Sequence, residues 1–251
     1  MRFNMSDTHE RIIQVNKSFL APDSMDIARY INFTELIDLL ETQELHFTNS
    51  HYFEDGYEGE IPINFFKGWS DESKKNYLNL INSIKDIRNV YVNCWNKFEN
   101  ESYALWKIYT NPKNGICIKT TIGRLKSALE NSDIKIYKIK YIDSYKDMIT
   151  KTEPAYYYRD DGTLSINTRL METLKFKPYD YENEVRAIYV DYSKDHCKRF
   201  KVNLNLLIED IFVSPFAPDW FYNLVKKIVW NRYKIDNNIK IRRSDIRVAK
   251  Y

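Results

Sequence analysis

Between residues 26 and 49 the apolar positions change period twice. In DIARYI they alternate as in a strand, and in NFTELIDLLETQE residues Leu36, Ile37, Leu39 and Leu40 gather on one helical face. Asn32 or Thr34 stands where such a helix needs a cap, with Glu35 in its first turn. ELHFTNS then returns to alternation, so the stretch predicts strand, helix, strand. Further along, DESKKNYLNLINSIKDI predicts an amphipathic helix, RNVYVNCW a strand and YALWKIY a short helix. GICIKT follows the turn NPKNG as a strand, TIGRLKSALEN reads as a helix and KIYKIKYI as one strand. AYYYRDDG predicts a loop and NTRLMETLKF a helix. ENEVRAIYVD, KRFKVN and IEDIFVS predict strands, APDWFYNLVKKIVWNRYKI a long helix begun at Pro218-Asp219, and IKIRRSDIRVAKY a last strand. Strands and helices mix without strict alternation, which predicts an α+β fold with a mixed or antiparallel sheet core and flanking helices. Residues 1–24 form a polar lead-in closed by APDS, and residues 25–251 a single domain.

Composition adds two constraints. The chain has 251 residues, 43% of them hydrophobic, enough for a sizeable core, and a net charge of +3 that neither requires nor excludes an anionic partner. Twenty Tyr, 13 Phe and five Trp exceed what a core needs, and surface Tyr beside Lys can stack on nucleotides. Cys94, Cys117 and Cys197 are far apart and odd in number, against a disulfide framework or a zinc knuckle and in favour of a reducing cytoplasm. MRFNMSDTHERIIQV has no apolar core of a signal peptide, and no run approaches a membrane span. The expectation is a cytoplasmic protein with no membrane partner.

Most familiar chemistry is absent. No glycine-rich dinucleotide fingerprint, P-loop, H-E-x-x-H or G-x-S-x-G occurs, and of His9, His46, His51 and His196 only the middle two are close, at a spacing that suits no metal face. Carboxylates remain: Glu54, Asp55, Glu58 and Glu60 in one loop, Asp160 with Asp161, and Glu182 with Glu184. In YENEVRAIYV the residues Glu182, Glu184 and Arg186 fall at every second position, which on a strand puts them on one face. One reading is an ion-pair ladder on a surface edge strand, worth little. Another is a catalytic acid with its supporting shell. Joined by Lys175 or Lys177 and the acidic loop, the pair also suits a metal-dependent nuclease. A third reading is a non-catalytic sensor or binding module.

Several pieces in order resemble a bacterial family known as domain of unknown function 2971. They are Arg29-Tyr30; Leu45, Phe47 and Thr48 in ELHFTN; FEDGYEG at 53–59; NCW at 93–95; Trp106 with Tyr109; GICI at 115–118; and KFKPYDYENEVR at 175–186. Glu54, Gly56 and Tyr179 depart from that pattern, where the family has Asn, Pro and Trp. The first strand-helix-strand, with the late strand opened by Glu, is also similar to the ADP-ribosyltransferase arrangement, including toxins that modify nucleic acids. That resemblance implies an enzyme that consumes NAD as substrate and transfers ADP-ribose to a macromolecule, as a toxin or anti-phage effector with an antitoxin protein as partner. It implies Glu184 as the catalytic acid and Glu182 as the group that orients the nucleophile. Arg29 would pair with the pyrophosphate or ribose of NAD, Thr48 or Ser50 would hold ribose, and Tyr30 or Tyr57 would stack on nicotinamide. Each residue has a plainer alternative: Arg29 pairing with Glu182 or Glu184 across adjacent strands, Thr48 and Ser50 ending a strand, the tyrosines packing. Trp95, Trp106 and Tyr109 are expected in the core. KKIVWNRYK, IKIRRSDIRVAK and AYYYR mix cations with rings, which favours single-stranded nucleic acid as acceptor.

Overall fold

Asn32 closes one element and opens the next. It ends strand β1 (Asp26–Asn32) in extended backbone, and its main-chain N–H donates 2.8 Å to the Glu35 carboxylate of helix α1 (Phe33–Thr42). Leu36, Leu39 and Leu40 make the buried stripe of α1. Gln43 ends it in the left-handed region at φ 53°, from which strand β2 (Glu44–Asn49) departs. The computed structural model describes residues 19–53, 70–76, 78–79, 89–131, 133–143, 156–158, 164–166, 172–236 and 238–247.

A nine-stranded mixed sheet forms around β3 (Asn89–Lys97). One edge of β3 is covered along its length by antiparallel β10 (Glu184–Asp191), from Asn96 opposite Glu184 to Asn89 opposite Asp191; β5 (Lys135–Lys138) covers the far edge of β10. The other edge of β3 is shared. β1 meets it only at Ile27–Lys97 and Ala28–Asn96, and β2 only at Thr48–Val92 and Asn49–Tyr91. Between those contacts β1 and β2 diverge. β11 (Cys197–Lys201) extends β2, while β4 (Gly115–Thr121), β12 (Asp210–Val213) and parallel β13 (Lys240–Arg243) extend β1.

Strand alternation divides the core. Ile27, Ile31, Trp95, Val185 and Ala187 point to one face, where α1, α3 (Ile122–Ala128), α4 (Leu204–Leu207) and α5 (Asp219–Lys226) bury Leu40, Leu125, Leu207 and Val225 against them. On the other face Ala28, Tyr30 and Cys117 pack under α2 (Tyr103–Tyr109) with Trp106. A further cluster there holds Val92, Tyr137 and Ile188.

The expected α+β class with a mixed sheet is the class observed. Three local readings are corrected. KIYKIKYI is two strands: Ile139 N–H still bonds Glu184 O, but Lys140 N–H turns to Thr173 O, so the chain changes partners and β6 (Lys140–Ile142) leaves the large sheet. The end of NTRLMETLKF is therefore strand β9 (Leu174–Phe176), parallel to β6, rather than helix. AYYYRDDG begins in β7 (Tyr156–Tyr158), paired with β8 (Leu164–Ile166). The long C-terminal helix exists, but Lys227–Arg232 is a π-helix. The acidic loop at 54–60 with Tyr57, and most of the lead-in, lie outside the described residues.

A buried carboxylate and cation cluster as candidate active site

β10 lies between β3 and β5, so the edge-strand ladder is overturned, and so is its surface setting. Glu182, Glu184 and Arg186 are only 4%, 5% and 0% exposed. Arg186 grips Glu184 with two parallel bonds, Nε to Oε1 at 2.8 Å and Nη2 to Oε2 at 2.9 Å, and donates Nη1 to Glu172 O at 3.0 Å. Glu182 is not on the strand. It ends a 3-10 helix (Lys177–Glu182), and Asn183, at φ 45°, reverses the backbone before β10 starts. Period-two parity thus fails at Glu182, yet Lys175 Nζ reunites the two acids, 2.7 Å from Glu182 and 3.5 Å from Glu184. Lys177 turns away to Asp143.

The entry to β10 is pinned from several sides. Asn96 Nδ2 donates to Glu182 O at 2.7 Å, Lys97 N–H to Asn183 O, and Glu184 N–H to the Tyr141 hydroxyl at 2.8 Å. Tyr109 donates to Glu182 Oε1 at 2.6 Å from α2; it is partly exposed rather than core, a site residue that spacing alone did not reveal. Trp95 and Trp106 are core as expected. Glu172, also buried, accepts from Ser50 Oγ at 3.0 Å, which links the end of β2 to the cluster.

Burial pushes the Glu184 carboxyl up, but the Arg186 charge and hydrogen bonds, with Lys175 and Cys94, outweigh it and hold Glu184 below the usual carboxylate range. Burial first, then Glu182, raises the Tyr109 hydroxyl well above its ordinary value, so it stays a donor. Among the described residues the buried carboxylates Glu182 and Glu184 meet the cations Lys175 and Arg186, and the buried Glu172 borders them through its main-chain O.

The other sequence candidates do not all converge here. Register puts Glu184, Asn96 and Ala28 in one row across the sheet, so Tyr30 shares the Glu184 face and Arg29 takes the opposite one with Ile27 and Ile31. No bond joins Arg29 to either acid, because β3 separates β1 from β10. Tyr30 is packed, its ring edge-on to Trp106 at 5.0 Å and its hydroxyl accepting Ser102 N–H, which leaves no free face for a nicotinamide. Thr48 is a mid-ladder strand residue opposite Val92 and Cys197.

Fold and site together define an α+β protein with a buried cluster of carboxylates and cations at the mouth of a central strand. Residues 105–187, which carry Tyr109, Lys175, Glu182, Glu184 and Arg186, match the family described as protein of unknown function DUF2971. A search of curated proteins gave no match. Among solved structures, Thermus sp. 2.9 DarT in complex with NAD+ is similar, at 11% identity and a TM-score of 0.43, over 91% of this chain and all of that one. No helix among the described residues is long and apolar enough to cross a membrane.

Proposed function

We propose that the chain is an ADP-ribosyltransferase-like enzyme that cleaves NAD and transfers ADP-ribose to a macromolecule, with Glu184 as the catalytic carboxylate and Glu182 beside it. The observation that carries this reading is Glu184 itself: the first residue of β10, buried, and kept ionised by Arg186. Cleavage of the nicotinamide C1′–N bond leaves positive charge on the ribose, and a fixed, buried anion lowers that barrier. Because Arg186 and Lys175 already orient the carboxylate, little reorganisation is needed as the charge develops. Glu182, hydrogen-bonded to Tyr109, is suited to take the acceptor's proton as its oxygen or nitrogen bonds to C1′ and nicotinamide departs. Ser50, in the 3-10 turn just after β2 and joined to the cluster through Glu172, is the hydroxyl best suited to hold ribose.

For the acceptor we favour single-stranded nucleic acid. α5, the π-helix and β13 carry cations over rings: Lys226 Nζ lies 5.3 Å from Tyr222 and 5.2 Å from Trp230, Arg243 lies 4.5 Å from Tyr222, and Trp220 is 66% exposed. Such an enzyme would act as a toxin or anti-phage effector restrained by an antitoxin. The nuclease alternative has less support, since Lys175 Nζ bridges the two carboxylates where a divalent ion would have to sit.

The test is nicotinamide release and transfer of label from NAD to single-stranded RNA, DNA and lysate protein. Glu184→Gln, which keeps volume and one acceptor, is expected to lose about 10²–10³-fold in rate, and Glu182→Gln to lose transfer more than release. Lys226→Glu with Arg243→Glu should weaken transfer to nucleic acid and spare nicotinamide release. Folded wild-type protein that neither releases nicotinamide nor labels any target would end this reading.

A further inference from the structure

Tyr109, the last residue of α2, brings a phenol from the surface to Glu182. Its Oη donates to Glu182 Oε1 at 2.6 Å, yet the residue is still 41% exposed. Lys175 Nζ holds the other oxygen of the same carboxylate at 2.7 Å and reaches on to Glu184 at 3.5 Å. A hydroxyl bonded to a carboxylate that a third group orients is the arrangement of a nucleophile with its base. The chain Tyr109, Glu182, Lys175, Glu184 therefore ties an exposed hydroxyl to the carboxylate at the head of β10. Two other tyrosines border the cluster. The Tyr141 hydroxyl accepts Glu184 N–H at 2.8 Å and so meets main chain rather than a base. Tyr181, in the 3-10 helix, stands in the field of Glu182 and is the rival that a test must separate.

We infer that Tyr109 is a self-modification site: the protein's own acceptor, whose Oη takes the ADP-ribosyl group from NAD. The inference rests on the reading of the cluster as an NAD-cleaving site. In the step, Glu182 Oε1 takes the phenol proton as Tyr109 Oη bonds to C1′. The C1′–N bond breaks, its electron pair leaves with nicotinamide, and Glu182 passes the proton to solvent. NAD supplies the transferred group, so no further reactant is needed. Burial and the Glu182 hydrogen bond raise the Tyr109 hydroxyl well above its ordinary value, so free phenolate does not accumulate and the proton moves only as the new bond forms. That timing suits an oxocarbenium-like carbon, which asks little of its nucleophile.

The test is to incubate the purified full chain with NAD and no other acceptor, follow nicotinamide release, and map adducts by intact and peptide mass spectrometry before and after. The wild type should gain one ADP-ribose, on Tyr109. Tyr103 and Tyr192, both more exposed, should stay unmodified. The adduct should survive hydroxylamine, which removes an ester on Glu182 but not a glycoside on a phenol. Glu182→Gln should lower the rate of modification at least about tenfold, and Tyr109→Phe should carry no adduct. Wild-type protein that releases nicotinamide and carries no ADP-ribose on Tyr109, or carries it on Tyr181, on Glu182 or evenly over exposed tyrosines, overturns this inference and leaves the proposed activity standing. Wild-type protein that releases no nicotinamide overturns both.

Discussion

Among the described residues Arg186 directs its donors at Glu184 and at Glu172 O, with no solvent to replace either. Arg186→Met should therefore strand Glu184 as a buried, half-compensated anion and cost about 3–5 kcal/mol in denaturant unfolding. Glu184→Leu together with Arg186→Met should recover much of that loss, because well-packed apolar residues replace a buried pair at little cost. The pH dependence follows from the depressed pKa of Glu184. A group whose folded pKa lies below its unfolded value stabilises the fold fully above the usual carboxylate range, and that stability drains away as pH falls through and below it. Glu184→Gln should accordingly flatten the acid limb of the stability curve below about pH 5, measured by urea unfolding across that range.

At the scale of elements, the left-handed residue that ends α1 is the clearest local cost. Gln43 sits at φ 53°, where a side chain is penalised by about 1–2 kcal/mol, so Gln43→Gly should raise stability by roughly 1 kcal/mol. Gly115 is the reverse case: a Cβ there would lie 2.3 Å from Thr110 Oγ1, and Gly115→Ala should lower the melting temperature. β1, α1 and β2 were legible in the sequence because caps and periodicity are local. The strand after Glu184 was equally legible, but its central position was not, since the partners that bury it, β3 and β5, are distant in sequence. Glu182 and Glu184 were rightly paired for an incomplete reason: the 3-10 turn and Asn183 break the alternation, and Lys175 restores the proximity. β9 was misread because LMETLKF carries helix-forming residues, while its conformation is set by pairing with β6.

For the whole molecule, the sheet separates two kinds of electrostatics. The cluster of Glu182, Glu184, Lys175 and Arg186 lies on one face and Arg29 on the other, with Trp95 opposite Val185 in the ladder between them. Arg29, read from the sequence as a candidate for holding NAD, lies by strand parity on the sheet face opposite Glu184.

The ladder between β3 and β10 also governs how the chain reaches its native state. Pairing Asn96 with Glu184 closes a loop that contains everything from Lys97 to Asn183, including β4, α3 and β5. Closure of so long a loop is paid in chain entropy before any contact rewards it, which puts such pairings late on the folding route and makes refolding slow. Ile188→Val, in the middle of β10, should then speed unfolding by an amount that matches its equilibrium loss of about 0.5–1.5 kcal/mol and leave the refolding rate almost unchanged in a stopped-flow chevron. The carboxylate at the head of that strand would be withdrawn from water only in the closing step of folding, after the rest of the sheet has formed to receive it.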